Sequence, residues 1–555
     1  MTRRSWGASL LGAAAMITAI TVLSRVLGFV RWMVQAQTVG YGAVGTAYTS
    51  ANTLPNVLFE VTAGGALAGA LIPLLAIPLA RDVKGDVDRI ASAMLTWALI
   101  VLVPVAVVCV LVAEPLARFF LRGPEPAAPD QVALAALFLR VFALQVPLYG
   151  VGVVLIGVLQ AHRRFFWPAF APIMSTAVVL AAYVVFAAAS GGVPERAGDV
   201  PDDAVAWLAW GTTAGVAALS LPLVVPVLRL GVRLRPRLGF PPGVARRATR
   251  LAAAGTGALL AQQVAVLVTM WLSNRRGGVG AWPVFQYTQA VYLLPYAVLA
   301  VPLATSAFPR LAERVAQGDD RGFARLASGS LRAVVLLGGL GAAALAACAP
   351  AVSTMFRDIG VGDGAVMDAM APALTFMAPG LVGFGALFLL SRSLYALERS
   401  RVAVLANATA WVTVVVASVV ATLVLVPADG DAGRTVVALG LGSSLGMLVG
   451  ALVAAVAMTR VAGRDALAGA GRTVLVTVAG GAVAATAGRV VGEGFMRWWT
   501  HWLGTAAEPG LGTAVMGIGA AAIVALGVYG LVVWLTDRPT VRALAAVAAS
   551  PGGAR

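Results

Sequence analysis

Long apolar stretches separated by short polar ones recur along the whole chain. Fourteen of them are long enough to cross about 30 Å of hydrocarbon, which takes about 20 residues of helix. Their predicted limits are 11–38, 43–80, 90–113, 131–160, 165–189, 204–228, 248–273, 281–309, 323–349, 366–391, 402–426, 435–459, 473–490 and 513–536. The pattern predicts an all-α polytopic membrane protein with about 14 transmembrane helices.

Two of these segments carry helix-breaking residues in their interiors. The second contains a Pro-Asn pair followed by a Gly-Gly pair, and the eighth contains a proline near its middle. Proline removes a helix hydrogen bond, and in a spanning helix it often marks a region that moves or lines a cavity. We therefore predict gates or kinks at Pro55, Asn56, Gly64, Gly65 and Pro295, although many spanning helices carry a proline without such a role.

Composition supports a membrane protein and sets its orientation. Hydrophobic residues make up 60% of the chain and charged residues 12%, so a soluble fold could not cover its surface with polar groups. The net charge of +16 comes mostly from arginines in loops and does not indicate nucleic-acid binding. Because basic loops stay in the cytoplasm, the alternation of arginine-rich loops predicts that both termini are cytoplasmic.

Arginines also occur inside the apolar segments. Arg25 and Arg31, in the first segment, have no acidic residue near them in sequence, and a guanidinium in hydrocarbon costs about 2.5–3.5 kcal/mol on insertion scales. Such residues usually face a water-filled cavity; the alternative is snorkelling to an interface, which suits Arg31 better than Arg25. Six residues place them about 120° apart around a helix and about 9 Å along it, which suits a broad cavity. Arg332, in the ninth segment, is expected to snorkel.

The sequence offers no motif for catalysis or metal binding. Cys109 and Cys348 lie in apolar stretches without metal-ligating neighbours, and therefore indicate structural thiols. Neither paired carboxylates nor a nucleophile with its base stands out. We expect no enzymatic activity, no metal, no cofactor and no nucleic-acid partner, and we leave open coupling to the membrane potential or to a monovalent ion.

Short motifs repeat with a spacing that suggests two related halves. Residues 159–164 are echoed by 394–399, and residues 48–55 by 287–295, at the same ranks of helix in each half. Two six-helix lobes in parallel orientation follow, and transporters of this kind bind substrate between such repeats. The predicted domains are an N-lobe, a cytoplasmic linker, a C-lobe and a pair of extra helices with a short tail, at 1–228, 229–250, 251–460 and 461–555.

Several blocks of the sequence resemble the corresponding blocks of a known family. They are Ser24–Arg31, Ala51–Asn56, Pro168–Pro172, Leu294–Tyr296 and Phe308–Leu311. The chain resembles the MurJ (MviN) family of lipid II flippases, in the multidrug/oligosaccharidyl-lipid/polysaccharide exporter (MOP) superfamily. The resemblance covers segments one to twelve and agrees with the helix count.

The resemblance implies two lobes around a cationic cavity, and alternating access that carries lipid-linked peptidoglycan precursor to the outer leaflet of the bacterial cell membrane. It also implies that the last two helices form a groove for the polyprenyl tail. Arg25 and Arg31 match the cavity arginines of the family, and a diphosphate favours bidentate guanidinium partners. Arg140 is similar to a basic residue of the fourth helix, with snorkelling an equally open interpretation. Membrane lipids and cell-wall synthesis proteins are the other expected partners.

Four positions depart from the family pattern. Trp32 and Thr46 stand where many members have an acid, and Phe59 and Ala290 stand where they have an arginine. Glu60 adds an acid that pairs with an arginine, couples to a cation, or is simply paired and buried. The departures leave open two alternatives: export of another polyprenyl-linked glycan or of a drug, and a cell-wall scaffold that does not transport.

Overall fold

The computed structural model describes residues 3–61, 68–81, 83–194, 196–502 and 509–537, with the side chains of 3–15, 17–18, 68–70, 247 and 249–256 left out. Within those ranges every regular element is helical. The helices of the first half are α1 (Arg3–Thr38), α2 (Ala43–Glu60), α3 (Ala68–Ala80), α4 (Lys84–Leu111), α5 (Ala113–Phe120), α6 (Pro129–Phe142), α7 (Gln145–Ala161), α8 (Phe166–Ala189), α9 (Asp202–Ser220), α10 (Val224–Arg229) and α11 (Val244–Gly277). Those of the second half are α12 (Ala281–Pro295), α13 (Val301–Ala316), α14 (Asp320–Ile359), α15 (Gly364–Asp368), α16 (Met370–Ala396), α17 (Ser400–Leu425), α18 (Ala432–Ala462), α19 (Ala470–Trp502) and α20 (Leu511–Thr536).

Thirteen helical stretches in the described ranges are long and apolar enough to cross a membrane, from Ala19–Thr38 to Leu511–Thr536. The remaining predicted segment, 43–80, is built from α2 and the shorter apolar helix α3. Helices suit a bilayer because they satisfy every backbone hydrogen bond internally. The predicted all-α polytopic membrane protein with about 14 spans is therefore confirmed.

The helix-breaking residues of the second and eighth segments have different local structures. Helix α2 continues through Pro55 to Glu60, and the Asn56 amide donates to the Asn52 carbonyl at 2.7 Å beside the proline. Gly64 and Gly65 lie outside the described residues. After Pro295, by contrast, a π-helical turn, Tyr296–Ala300, joins α12 to α13. Their roles as gates stay predictions.

Contacts divide the chain into two units, the first comprising residues 1–274 and 360–362 and the second the rest. The boundary falls inside α11, so most of the helix that the repeat assigns to the C-lobe is grouped with the first unit. Helices α19 and α20 contact the second unit. The predicted domain limits are not settled by this grouping and stay a prediction.

The first unit has two apolar clusters. One surrounds the buried ring of Tyr48, which meets Phe138, Phe142 and Tyr183 edge-on at centroid distances of 5.6, 5.7 and 6.0 Å. The other packs α3, α4 and α7 through leucine and valine side chains. The first cluster fixes the ends of α1 and α2 against α6, α8 and α9, and thereby positions the polar residues described below.

The turn between α1 and α2 requires glycine. Gly40 has a φ of +73°, and a Cβ atom there would lie 2.4 Å from the Val361 carbonyl oxygen. Val361 also donates a backbone hydrogen bond to Ala36 and accepts one from Tyr41, at 3.0 and 2.9 Å. This pair of bonds holds the C-terminal end of α1 in place.

In the second unit, α13, α14, α16, α17 and α18 share one large core, and α19 and α20 pack on α14. Polar contacts fix those last two helices. The Tyr529 hydroxyl donates to the Leu336 carbonyl at 2.9 Å, and Arg332 forms an ion pair with the buried Asp537 at 3.1 Å. Arg332 also donates to Thr473 at 3.2 Å. The expectation that Arg332 snorkels is therefore wrong, because the buried Asp537 carboxylate pairs with it inside the fold.

We expect Asp537→Ala to lower the stability of the second unit by about 3 kcal/mol, because removing one member of a largely buried pair leaves the other charge unpaired. Thermal unfolding of the purified protein in detergent measures this as a lower Tm. Glu493→Ala is the matched control, since Glu493 pairs with Arg489 on exposed surface of α19. Such pairs contribute at most about 1 kcal/mol, and equal Tm values for the two variants would contradict the assignment.

Candidate functional site

The polar face of α1 begins with the predicted arginines. Arg25 is exposed and has no hydrogen bond or ion pair among the described residues, and its neighbours Val22, Leu23 and Val26 are exposed too. Arg31 is half-buried. One helical turn further, Gln35 is buried, on the same face as Arg31. The face therefore passes from open surface at Arg25 to protein interior at Gln35, with Arg31 at the transition.

The Arg31 guanidinium lies over an aromatic ring and meets no acid. Its central carbon is 5.1 Å from the centroid of the Trp32 ring. In the part of the chain that the structure describes, no carboxylate or hydrogen-bond acceptor pairs with it. Its charge acts on the phenols of Tyr48 and Tyr149. Stacking occupies a face of the planar group and leaves its N–H edges available.

Tyr149, on α7, packs on the end of α2 and lies within electrostatic range of Arg31. Its hydroxyl donates to the side-chain oxygen of Asn56 at 3.1 Å, and its ring packs against that of Phe59 at a centroid distance of 4.2 Å. The Glu60 carboxylate also acts electrostatically on Tyr149. Asn56 and Phe59 thus contact Tyr149, Arg31 and Glu60 lie within its electrostatic range, and we call these five residues the Arg31 cluster.

Glu60 is the acidic member of this cluster. It is exposed at the last turn of α2 and makes no ion pair in the described ranges. Among the described residues Glu60 therefore has no arginine partner. Its predicted part in cation coupling stays a prediction.

A buried network of hydroxyl and amide groups anchors α1 next to Arg31. Gln35 donates to Thr49 at 3.3 Å and accepts from Tyr183 at 3.1 Å. The Tyr183 hydroxyl lies 3.0 Å from that of Tyr48, which in turn lies 3.1 Å from the Thr212 hydroxyl. This network joins α1, α2, α8 and α9. It positions the turn that carries Arg31, because each buried polar group has its partner inside the unit.

Arg140 lies in different surroundings. It is exposed on α6 and lines a cavity of about 460 Å³ together with Glu114 and Arg118, which form an ion pair. The lining residues come from α5, α6 and the loop between them, and none belongs to the Arg31 cluster. The structure thus brings Arg31 and Glu60 near one tyrosine and places Arg140 elsewhere.

Sequence reasoning missed Tyr149, Gln35 and the tyrosine pair Tyr48–Tyr183. The sequence could have indicated Gln35, since this polar residue follows Arg31 by one helical turn in an apolar segment. No such indication was present for Tyr149, because its contacts depend on how α7 packs against α2. Among the described residues, no group of three or more His, Cys, Asp or Glu side chains comes together to hold a metal ion.

Solved structures share this fold. "Lipid II flippase MurJ, inward closed conformation" aligns with a TM-score of 0.72 and 16% identity, over 95% of this chain and 100% of its own. An inward-facing multidrug resistance MATE family transporter of the MOP superfamily aligns with a TM-score of 0.63 and 14% identity, over 80% and 96%. At such identities the likeness defines the class by its fold: a multi-pass membrane protein with the architecture of MOP transporters.

Sequence comparison gives the family. The profile described as lipid II flippase MurJ matches residues 35–504. Lipid II flippase MurJ of Burkholderia cenocepacia is 27% identical over 452 residues, which are 80% of this chain and 83% of that protein. The probable lipid II flippase MurJ of Rhizobium meliloti is 27% identical over 350 residues, 61% of each. The chain belongs to the MurJ family, and the resemblance inferred from its sequence blocks is confirmed.

We expect Gln35→Met to lower the free energy of unfolding of the first unit by about 1–3 kcal/mol, since it removes the partner of buried polar groups on Thr49 and Tyr183. A lower Tm in detergent, accompanied by weaker transport, is the expected result. Gln37→Met is the matched control, because Gln37 is exposed on the same helix. If the two variants unfold at the same temperature, the network does not anchor α1.

Proposed function

We propose that this protein is a lipid II flippase that moves polyprenyl-diphosphate-linked peptidoglycan precursor from the inner to the outer leaflet of the bacterial cytoplasmic membrane. Membership of the MurJ family supports the proposal. The observation that carries it is Arg31, a half-buried guanidinium in a spanning helix that no described residue neutralises. A charge kept at that depth without an internal partner is best explained by an anionic ligand that passes it.

The chemistry of the Arg31 cluster suits a diphosphate headgroup. Arginine offers paired N–H donors to phosphate oxygens, and the Trp32 ring lies 5.1 Å from the guanidinium carbon. Arg25, about 9 Å away along α1, offers a second cation on more open surface. The order from Arg25 to Arg31 therefore provides two successive contacts for a negatively charged headgroup.

Topology and partners follow from the same proposal. The arginine-rich loops support a topology with both termini in the cytoplasm. The lipid-linked glycopeptide is made on that side and used on the other, so enzymes of cell-wall synthesis are the partners we expect. The polyprenyl tail stays in the bilayer among membrane lipids.

Arg31→Ala should weaken binding of lipid II by roughly ten- to a hundredfold, because a charge-assisted hydrogen bond to an anion contributes about 1.5–3 kcal/mol. The affinity of Arg31→Lys for lipid II should lie between those of the wild type and of Arg31→Ala, since an ammonium cannot make the bidentate contact. Proteoliposomes loaded with fluorescent lipid II report both binding and the fraction that becomes accessible on the opposite leaflet.

Arg118→Ala is the control for that experiment, because Arg118 is an exposed arginine of the same unit that already pairs with Glu114. Wild-type flipping by both Arg25→Ala and Arg31→Ala would overturn the proposal and favour a scaffold without transport. Flipping of other polyprenyl-linked glycans, or export of a drug, in place of lipid II would favour the neighbouring transporter classes.

We further propose that Glu60 couples transport to a cation or to the membrane potential. Glu60→Gln should then flatten the dependence of flipping on pH or on the monovalent ion, because the amide cannot exchange a proton or attract a cation. Glu493→Gln serves as control, since that acid already pairs with Arg489. An ion and pH dependence identical to wild type would exclude Glu60 from coupling.

A further inference from the structure

A second half-buried arginine without an acid occurs in the second unit. Arg392 lies in α16, about one helical turn before the helix ends at Ala396. Its guanidinium carbon is 4.7 Å from the ring centroid of Phe388, one turn earlier, and 5.7 Å from that of Phe308 on α13. An arginine that snorkels extends its head into water. Arg392 instead folds back onto the rings of two helices.

The rings under Arg392 belong to a larger aromatic cluster. Tyr296, in the π-helical turn, stacks on Phe384 at 4.1 Å and an interplanar angle of 17°, and meets Phe388 edge-on at 6.0 Å. These contacts hold the Phe388 ring in place from the side of α12 and α13. The surface on which the guanidinium rests is therefore built by packing and does not depend on one mobile side chain.

The polar groups around Arg392 have no hydrogen-bond partner among the described residues. Tyr296 meets the Phe388 ring on which the guanidinium rests, and Tyr395 follows Arg392 by three residues on the same helix face. These three side chains form no hydrogen bond or ion pair among the described residues. Glu398, in the following turn, is exposed and does not pair with Arg392. Since stacking leaves the in-plane N–H groups available, the arrangement presents hydrogen-bond donors and one positive charge.

The position along the helix indicates which anion is available. Helix α16 has 27 residues, about 40 Å, against a hydrocarbon thickness of about 30 Å. Arg392 therefore lies near the level where lipid phosphates meet the hydrocarbon. Phosphate oxygens accept paired N–H donors from a guanidinium and hydroxyl donors from tyrosine.

We propose that Arg392, together with the hydroxyl groups of Tyr296 and Tyr395, forms a binding site for a lipid phosphate in the second unit. The ligand is the phosphodiester of an anionic membrane lipid or the diphosphate of a polyprenyl lipid. Only the second of these sources rests on the proposed flippase function. The site itself needs the geometry of the aromatic cluster and the unpaired charge.

Native mass spectrometry of the full chain in detergent tests the site, with phosphatidylglycerol and undecaprenyl diphosphate titrated separately. Arg392→Gln keeps much of the side-chain length but loses the charge, and should weaken binding of at least one lipid about tenfold. Phe388→Leu and Tyr395→Phe, which remove the supporting ring and one donor, should each weaken the same lipid by a smaller factor. The matched control is Arg460→Gln, because Arg460 is an exposed arginine in the last turn of α18 without an aromatic support.

Titration of the two lipids distinguishes the two possible sources of the bound phosphate. A loss confined to undecaprenyl diphosphate assigns the site to a polyprenyl substrate, and a loss that includes phosphatidylglycerol assigns it to membrane lipid, whatever the protein transports. Wild-type affinity of Arg392→Gln for both lipids would overturn the site. So would an equal loss in Arg460→Gln, since that would reflect net charge alone. If Arg392→Gln fails to fold, the Tyr395→Phe and Phe388→Leu variants take its place. Wild-type affinity of both variants for both lipids would then overturn the site.

Discussion

The cost of keeping a guanidinium group out of water governs this structure. Hydrocarbon accepts an arginine only where water, an internal acid or a ligand offsets the lost hydration. The described part of α1 gives Arg31 an aromatic ring and no acid, so a ligand or water must complete its surroundings. Helices that carry such a residue need firm packing on their other faces, and the first unit provides it.

That packing is polar as well as apolar. The hydroxyl groups of Tyr48 and Tyr183, with the amide of Gln35, join four helices through bonds of 3.0–3.3 Å just beyond Arg31. In a dry interior, such bonds favour a single arrangement, since any displacement would leave buried donors unpaired. The network thus supports the turn of α1 next to Arg31, whose guanidinium has no described acid.

Three arginines inside apolar helices have two kinds of environment. Arg332 is neutralised by Asp537 and fastens α19 and α20 to α14, so its role is structural. Arg31 and Arg392 rest on aromatic rings without a described acid. Packing therefore decides whether an arginine in an apolar helix meets an acid or an aromatic ring.

The sequence by itself determined the class of fold, the number of spans and the family, because these depend on the length and hydropathy of each segment and on short local motifs. It also singled out Arg31, since an arginine far from any acid is visible in one segment. Only the tertiary structure decided that α2 continues through Pro55 and that Arg332 has an acid 205 residues away. It also decided that Arg140 lines a cavity with Glu114 and Arg118, and that Tyr149 bonds to Asn56 and packs on Phe59. Such partners come from helices distant in the chain, and the packing of those helices chooses which side chains meet.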